Sequence, residues 1–479
     1  ESLRTMKAAQ VPGRFVVFPG FEVHSSAHGD RAIVYKDEDG ELLYPQSIPE
    51  LHRMLAELAS QGKHALALPH HIGYHQGARG INWENFDSDS SPVVEIFSMH
   101  GAAENSEGPL PFLHSMEPAD WRSTMQYGLM QGHIFGFVAN TDHHSAHPGS
   151  YGHGMSGVWA SELSREAIWE AIRNRRTFAL TGDKIRLDYA IGDAAMGSLK
   201  APGPAGALHL RLEAGAAIDY VDVVHNNRLV RRISPPEARK LLGAEGVGSG
   251  PAGSNVAGDR RADAGAAPAG GSTGAGGAAS GGPGAGGAAS SGDKLRTKLF
   301  LEVGWGPRGK AARWEVELGI GEGEIHDVEP RFRGPDVLSP EQEADSDSTA
   351  FYSRCRRTGE RSVGFETTTY GNPTTSTAGT QGIALDVTLP RTGTIWAQLN
   401  GVYTETTVER LLAGGKSGHL RHEIDSPAWL FHRLPQEWEH TWEFTLDTLM
   451  PELQRGDFIY IRVRQQNNQW AWGSPVFVR

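Results

Sequence analysis

Histidine is unevenly distributed in this chain, with 14 of its 21 copies before residue 154. Many stand beside carboxylates, just after short apolar runs. Phe15-Val16-Val17-Phe18 runs into Pro19-Gly20-Phe21-Glu22-Val23-His24, with His28 further on, and Leu66-Ala67-Leu68 runs into Pro69-His70-His71. Val93 to Phe97 contains Glu95 and is followed by His100, and Ile134 to Val138 runs into Asn140-Thr141-Asp142-His143-His144. Imidazole and carboxylate without thiolate suit zinc, manganese or iron, and the ligand types alone do not choose among them. Cys355 is the single cysteine, which excludes an intrachain disulfide framework and any multi-cysteine metal cluster. A carboxylate such as Glu22 or Asp142 can bridge two cations, and cations about 3.5–4 Å apart can generate hydroxide and clamp a phosphoryl oxygen.

Such residues need a scaffold that brings them to one place. Ser47-Ile48-Pro49-Glu50 has capping-box spacing with proline in the first turn, and Leu51, Met54, Leu55 and Leu58 continue it as the apolar stripe of a helix ending near Gly62. Strands are expected at 15–18, 65–68, 93–97, 134–138 and 177–180, alternating with helices at 118–131 and 164–175. Alternation at this spacing reads as βα units, and in a βα barrel the strand C-termini converge on one rim, where the histidines and carboxylates fall. The fold class expected for residues 1–182 is therefore α/β. Beyond Thr181-Gly182 the pattern changes to short alternating runs, such as Leu208-His209-Leu210-Arg211-Leu212, which is the grammar of a β-sandwich. This β-rich region is expected over 183–242 and again over 294–479, where a terminal hairpin turns at Gln466 to Gln469. Between them, residues 243–293 read as a disordered insertion: from 243 to 292 there are 18 Gly and 14 Ala, and the only branched apolar residues are Val247 and Val256. Gly149 to Gly157 reads as a mobile loop at the edge of the site.

The formal charge of -12 argues against nucleic acid or an anionic membrane as the main partner. No apolar run approaches the roughly 20 residues needed to span a bilayer, and the first residues are not a signal peptide, so the chain reads as soluble. Its localisation and oligomeric state are not legible. His52, His64, His114 and His133 read as ordinary surface or core histidines. Arg31 and Arg79 are cations that could meet an anionic substrate, with solvated charge as the plainer account.

The ordered set Pro19 to Glu22, His28 to Tyr35, Leu68 to His71, Val94 to Gly101, Thr141 to His144 and Arg175 to Gly182, with the ending Ala471 to Val478, resembles the DUF3604 family. That family is a branch of the PHP (polymerase and histidinol phosphatase) metallohydrolases. The resemblance implies a distorted (β/α)7 barrel holding two or three divalent ions of manganese, iron or zinc. It makes Glu22 a shared bridging ligand, His28 and His70 further ligands, and Asp142 and His144 the final ligand pair. Glu95, His100 and Arg31 would orient ligands or touch substrate. The superfamily pattern opens with His-x-His before the Glu motif, and nothing upstream of Glu22 supplies it, so the barrel is expected to be incomplete at its N-terminus. The expected activity is metal-dependent hydrolysis of a phosphoester or related ester by a hydroxide bridging the metals, with His71 or His143 moving the proton. The substrate would be a small anionic or ester molecule. Rival readings are hydrolysis of another ester, an amide or a carbamate on the same site, or a non-catalytic binding protein whose β-sandwich is the active part.

Overall fold

The computed structural model describes residues 2–114, 117–144, 147–243, 294–307, 310–334, 353–370, 379–422, 426–447 and 452–479, so the Gly/Ala-rich insertion lies, from 244 onward, outside the described residues. The β-rich region forms two layered units. In one, Lys294–Gly304 and Ala311–Ile320 are central strands of two five-stranded sheets. Their alternating residues Leu299, Leu301, Val303, Trp314, Val316 and Leu318 face a shared core.

In the other unit, Arg186–Ile191, Leu208–Glu213 and Thr441–Leu446 belong to a four-stranded sheet that packs on an eight-stranded one. The central strands of the eight-stranded sheet are buried on both faces. Ile459, Ile461 and Val463 of its strand Phe458–Gln465 point into the sandwich, while Phe458 and Tyr460 point toward the first third of the chain. Burial on both faces explains why that strand is a continuous apolar run and not an alternating one. The terminal hairpin is present, with Arg464 opposite Trp470.

The first third is not a (β/α)7 barrel. Among its named strands only Val93–Ser98 and Gly136–Ala139 run parallel. Gly20–Val23, Arg31–Tyr35 and Ala65–Pro69 form an antiparallel three-stranded sheet covered by the helix Ile48–Ser60. Thr177–Leu180 is flanked antiparallel by Met155–Val158 and Trp470–Gly473. For the first of these pairs the physical reason is connection length. A parallel pair needs a crossover of a dozen or more residues, and residues 24–30 can only turn the chain back on itself.

Three local expectations also change. Val11 and Phe15 exchange backbone hydrogen bonds around a Pro12-Gly13 turn, so the strand begins at Gly20 and not at Phe15. Asp120 caps a short 3-10 turn and Thr124 caps Met125–Met130, which splits the helix expected over 118–131. Met155–Val158, within the run read as a loop, is a strand. The helix cap at Ser47 forms as its spacing demands, with the hydroxyl accepting from the Glu50 N–H. No helix among the described residues is long and apolar enough to cross a membrane.

Candidate metal centre

Phe21 and Val23 pack toward the core under the helix Ile48–Ser60, so strand alternation turns Glu22 to the other face of its sheet. The antiparallel register sets Arg31 opposite Pro69, which brings Asp30 beside the strand end that delivers His70 and His71. Glu22, Asp30, His70 and His71 thereby each present one ligand atom within 4.8 Å of the others. The parallel pair supplies a second group. Its two strands end on the same side, and His100, Asp142 and His144 likewise present atoms within 4.8 Å of one another. His100 Nε2 is 2.8 Å from Asp142 Oδ2, and His70 Nδ1 is 3.8 Å from the same carboxylate, which joins the two groups.

Neighbouring side chains fix these residues in place. The His71 backbone N–H donates to Glu95 Oε1 at 3.0 Å, and Asn140 Nδ2 donates to Glu95 Oε2 at 2.9 Å. Tyr74 Oη is 3.0 Å from His100 Nδ1. His24, largely exposed, sets Nδ1 3.0 Å from Glu22 Oε1 and 3.1 Å from Asp30 Oδ2. His71 (φ 32°) and Asp142 (φ 48°) both have left-handed backbones, a strained geometry for side-chain-bearing residues that tends to be held only where the surroundings demand it.

The charges are tightly interdependent. Burial pushes the Glu95 carboxyl up to about 7. Burial would lower His70, but the carboxylates of Glu22, Glu95 and Asp142 outweigh it and raise the imidazole to about 9. Burial also raises Asp142, yet the hydrogen bond from His100 and the neighbouring imidazoles hold it down at about 2. His71 is kept neutral by burial and by the His70 charge, at about 2. For Glu22, burial is again outweighed by His70 and His24, which keep its carboxyl below the usual range.

The donor set fits a divalent cation. His71 is 3% exposed, and its Nδ1 is buried with no hydrogen-bond partner. His70 Nε2 lies 3.1 Å from Glu22 Oε1 yet also lacks hydrogen-bond geometry. Imidazole nitrogens set among carboxylates in this way are of the donor type that could hold a divalent ion.

Of the residues expected in the site, Glu22, His70, His71, His100, Asp142 and His144 come together, and Glu95 underlies them. His28 stands outside both groups, with Nδ1 3.4 Å from Asn85 Nδ2. His143 packs with His147 and His153, ring centroids 5.4 Å away in each case, and belongs to neither group. Arg31 is buried, and its Nη1 donates to the carbonyls of Gly29 and Asp30 at 2.9 and 3.0 Å. Asp30, Tyr74 and Asn140 were missed by sequence reasoning. Asp30 sits in the same His28-Gly29-Asp30-Arg31 run, and only the antiparallel turn shows that it, and not His28, faces the cluster.

A family model described as "Protein of unknown function (DUF3604)" matches residues 141–197, a stretch that contains Asp142 and His144. An uncharacterized protein of Chlamydia pneumoniae is 26% identical over 243 residues, covering 46% of this chain and 38% of that protein. An uncharacterized protein of Chlamydia trachomatis is 31% identical over 130 residues, covering 25% of this chain and 21% of that protein. The chain thus aligns with well under half the length of these relatives. No solved structure matches it.

Proposed function

We propose that the chain is a metal-dependent hydrolase of a phosphoester or related ester, akin in chemistry to the PHP metallohydrolases. The observation that carries this reading is the pair of ligand groups joined through His70 and Asp142. Glu22, Asp30, His70 and His71 would hold one divalent ion of manganese, iron or zinc, and His100, Asp142 and His144 a second. Bound divalent ions supply Lewis acidity, which acidifies water and neutralises charge on ester oxygens.

The chain's own residues do the rest. Glu95 fixes the backbone at His71 and the amide of Asn140, so the strand ends keep their spacing. Tyr74 holds the orientation of the His100 ring through Nδ1, leaving Nε2 toward Asp142. His24 is the imidazole at the solvent side, in contact with two carboxylates, and it can carry a proton between the site and water. In the sequence reading His71 or His143 had this task. Burial keeps His71 unprotonated and points it inward, so His24 is the better-placed carrier.

Metal analysis of the purified chain after anaerobic reconstitution with Mn, Fe or Zn, followed by a panel of phosphomonoesters, phosphodiesters, carboxylic esters and amides, tests the reading. About two equivalents of metal and metal-dependent turnover are expected. No retained metal would leave the β-sandwich as a binding module with no hydrolytic centre.

A further inference from the structure

We propose that the outer face of the five-stranded sheet centred on Ala311–Ile320 binds a neutral polysaccharide whose sugars carry their hydroxyls equatorially. This face shares no residue with the metal cluster, and the inference does not rest on the hydrolase reading. The sheet runs in the order Arg354–Gly359, Ser362–Tyr370, Ala311–Ile320, Thr394–Leu399 and Val402–Thr407. Val316, Leu318, Phe365, Ile395 and Ala397 fill the core beneath it. Strand alternation therefore turns Glu315, Glu317, Glu366, Trp396 and Gln398 outward.

Two aromatic rings lie on this face. Gly319 stands directly opposite Trp396, and a Cβ on the glycine would meet the indole at 2.3 Å, so the indole lies down over the sheet. Tyr403, opposite Gln398 on the edge strand, sets its ring at 20° to the indole with centroids 6.3 Å apart. Its hydroxyl donates to Glu405 Oε2 at 2.8 Å, and the residue is 60% exposed. Covering a strand glycine with an aromatic ring is a device the chain uses elsewhere, with Phe178 over Gly157 and Trp429 over Gly418. Those two rings are buried in cores, and packing accounts for them. Among the described residues Tyr403 covers no glycine and enters no core, so packing does not account for the exposed member of the pair.

Beside the rings is a trough of about 430 Å³, a volume suited to a small ligand. Gly364, without a side chain, leaves it low, and Glu315, Glu317, Arg356 and Gln398 line it. The ligand follows from these groups. A pyranose with equatorial hydroxyls has an apolar C–H face, which an aromatic ring covers, and a rim of hydroxyls that both donate and accept. The glutamates accept, Arg356 donates, and the Gln398 amide does both. The trough holds three carboxylates, Glu315, Glu317 and Glu366, against the guanidiniums of Arg354 and Arg356, and Arg354 already donates to Glu366. That balance turns away uronates, nucleic acid and other polyanions. A depression in a sheet face does not wall off the ends of its ligand, which suits the interior of a chain and not a free sugar.

The test is affinity electrophoresis of the full chain through native gels holding hydroxyethylcellulose, xylan, mixed-linkage β-glucan or polygalacturonate, comparing wild type with Tyr403→Ala, Gln398→Ala and Trp396→Ala. We expect at least one of the three neutral polymers to retard the wild type, and polygalacturonate to leave it unretarded. Tyr403→Ala removes a stacking ring and should weaken the affinity read from the retardation about tenfold, with Gln398→Ala weakening it less. Trp396→Ala also uncovers Gly319 and should fold less stably, so the exposed Tyr403 decides. The proposal is overturned if all three neutral polymers leave the wild type unretarded, or if Tyr403→Ala is retarded as strongly as wild type. Equal retardation by polygalacturonate overturns it as binding by charge, and retardation that disappears on chelation of metal overturns it by moving the sugar to the cluster.

Discussion

Glu104 and Glu95 are both buried carboxylates carried by the first third of the chain, and their surroundings treat them in opposite ways. Glu104 Oε1 accepts from Tyr460 Oη at 2.7 Å and Arg462 Nη1 at 2.9 Å, and Oε2 accepts from Trp472 Nε1 at 2.9 Å. Arg462 passes on to Asp222, which also takes a two-pronged contact from Arg232. Each carboxylate there has an arginine, and the network closes on itself where the first third meets the eight-stranded sheet. Around Glu95 the neighbours are Asp142 and imidazoles, and the carboxyl is pushed up toward protonation. A buried charge must be paired or neutralised. Where arginine provides the pairing the result is a staple, and where it is withheld the result is a place for a cation.

Breaking the staple should have the largest effect. Glu104→Ala takes the acceptor from Tyr460 Oη and Trp472 Nε1 and leaves Arg462 with Asp222 as its one remaining carboxylate, and a loss of about 3–5 kcal/mol of stability in urea unfolding is expected. Metal content per folded molecule should be unchanged. Asp142→Asn should do the reverse, lowering metal affinity by roughly a hundredfold or more by calorimetry, since it removes the carboxylate shared by the two groups. Its apo stability should fall by less than that of Glu104→Ala, because relief of the repulsion between Asp142 and Glu95 offsets part of the lost pairing with His100. Equal loss of stability in both variants would erase the distinction between the two regions.

The titration of the cluster offers a sharper comparison. At pH 7 His70, raised to about 9, holds a proton, and Glu95, raised to about 7, is partly protonated. Metal uptake must displace protons, so between one and two should be released near pH 6.5 and fewer as pH rises past about 9, read from calorimetry in buffers of different ionisation enthalpy. In the apo protein both groups hold protons that the unfolded chain gives up. The Glu95 contribution to stability should therefore fall as pH rises from about 4.5 to about 7, and that of His70 from about 6.5 to about 9. Glu95→Gln should remove the lower-pH part of that decline. The smallest effect expected is that of Tyr74→Phe, which frees the His100 ring and should weaken metal binding about tenfold without moving the urea midpoint by much.

Much of this molecule is determined locally. The Ser47 cap, the alternation of Leu208, Leu210 and Leu212, and the strand–turn–strand ending at Val478 follow from side-chain periodicity and capping, which any short window of sequence contains. The concentration of His and carboxylate after strand ends is equally local, and it pointed to Glu22, His70, Asp142 and His144. Strand direction is not local. Short apolar runs look the same whether their neighbours run parallel or antiparallel, and the barrel expectation failed at residues 24–30 for that reason. The same choice of direction exchanged His28 for Asp30 and set His143 apart with His147 and His153. Only the tertiary structure decided which arginine is walled in and which is open, because burial of Arg31 and exposure of Arg79 depend on how two distant loops pack and not on the residues beside them.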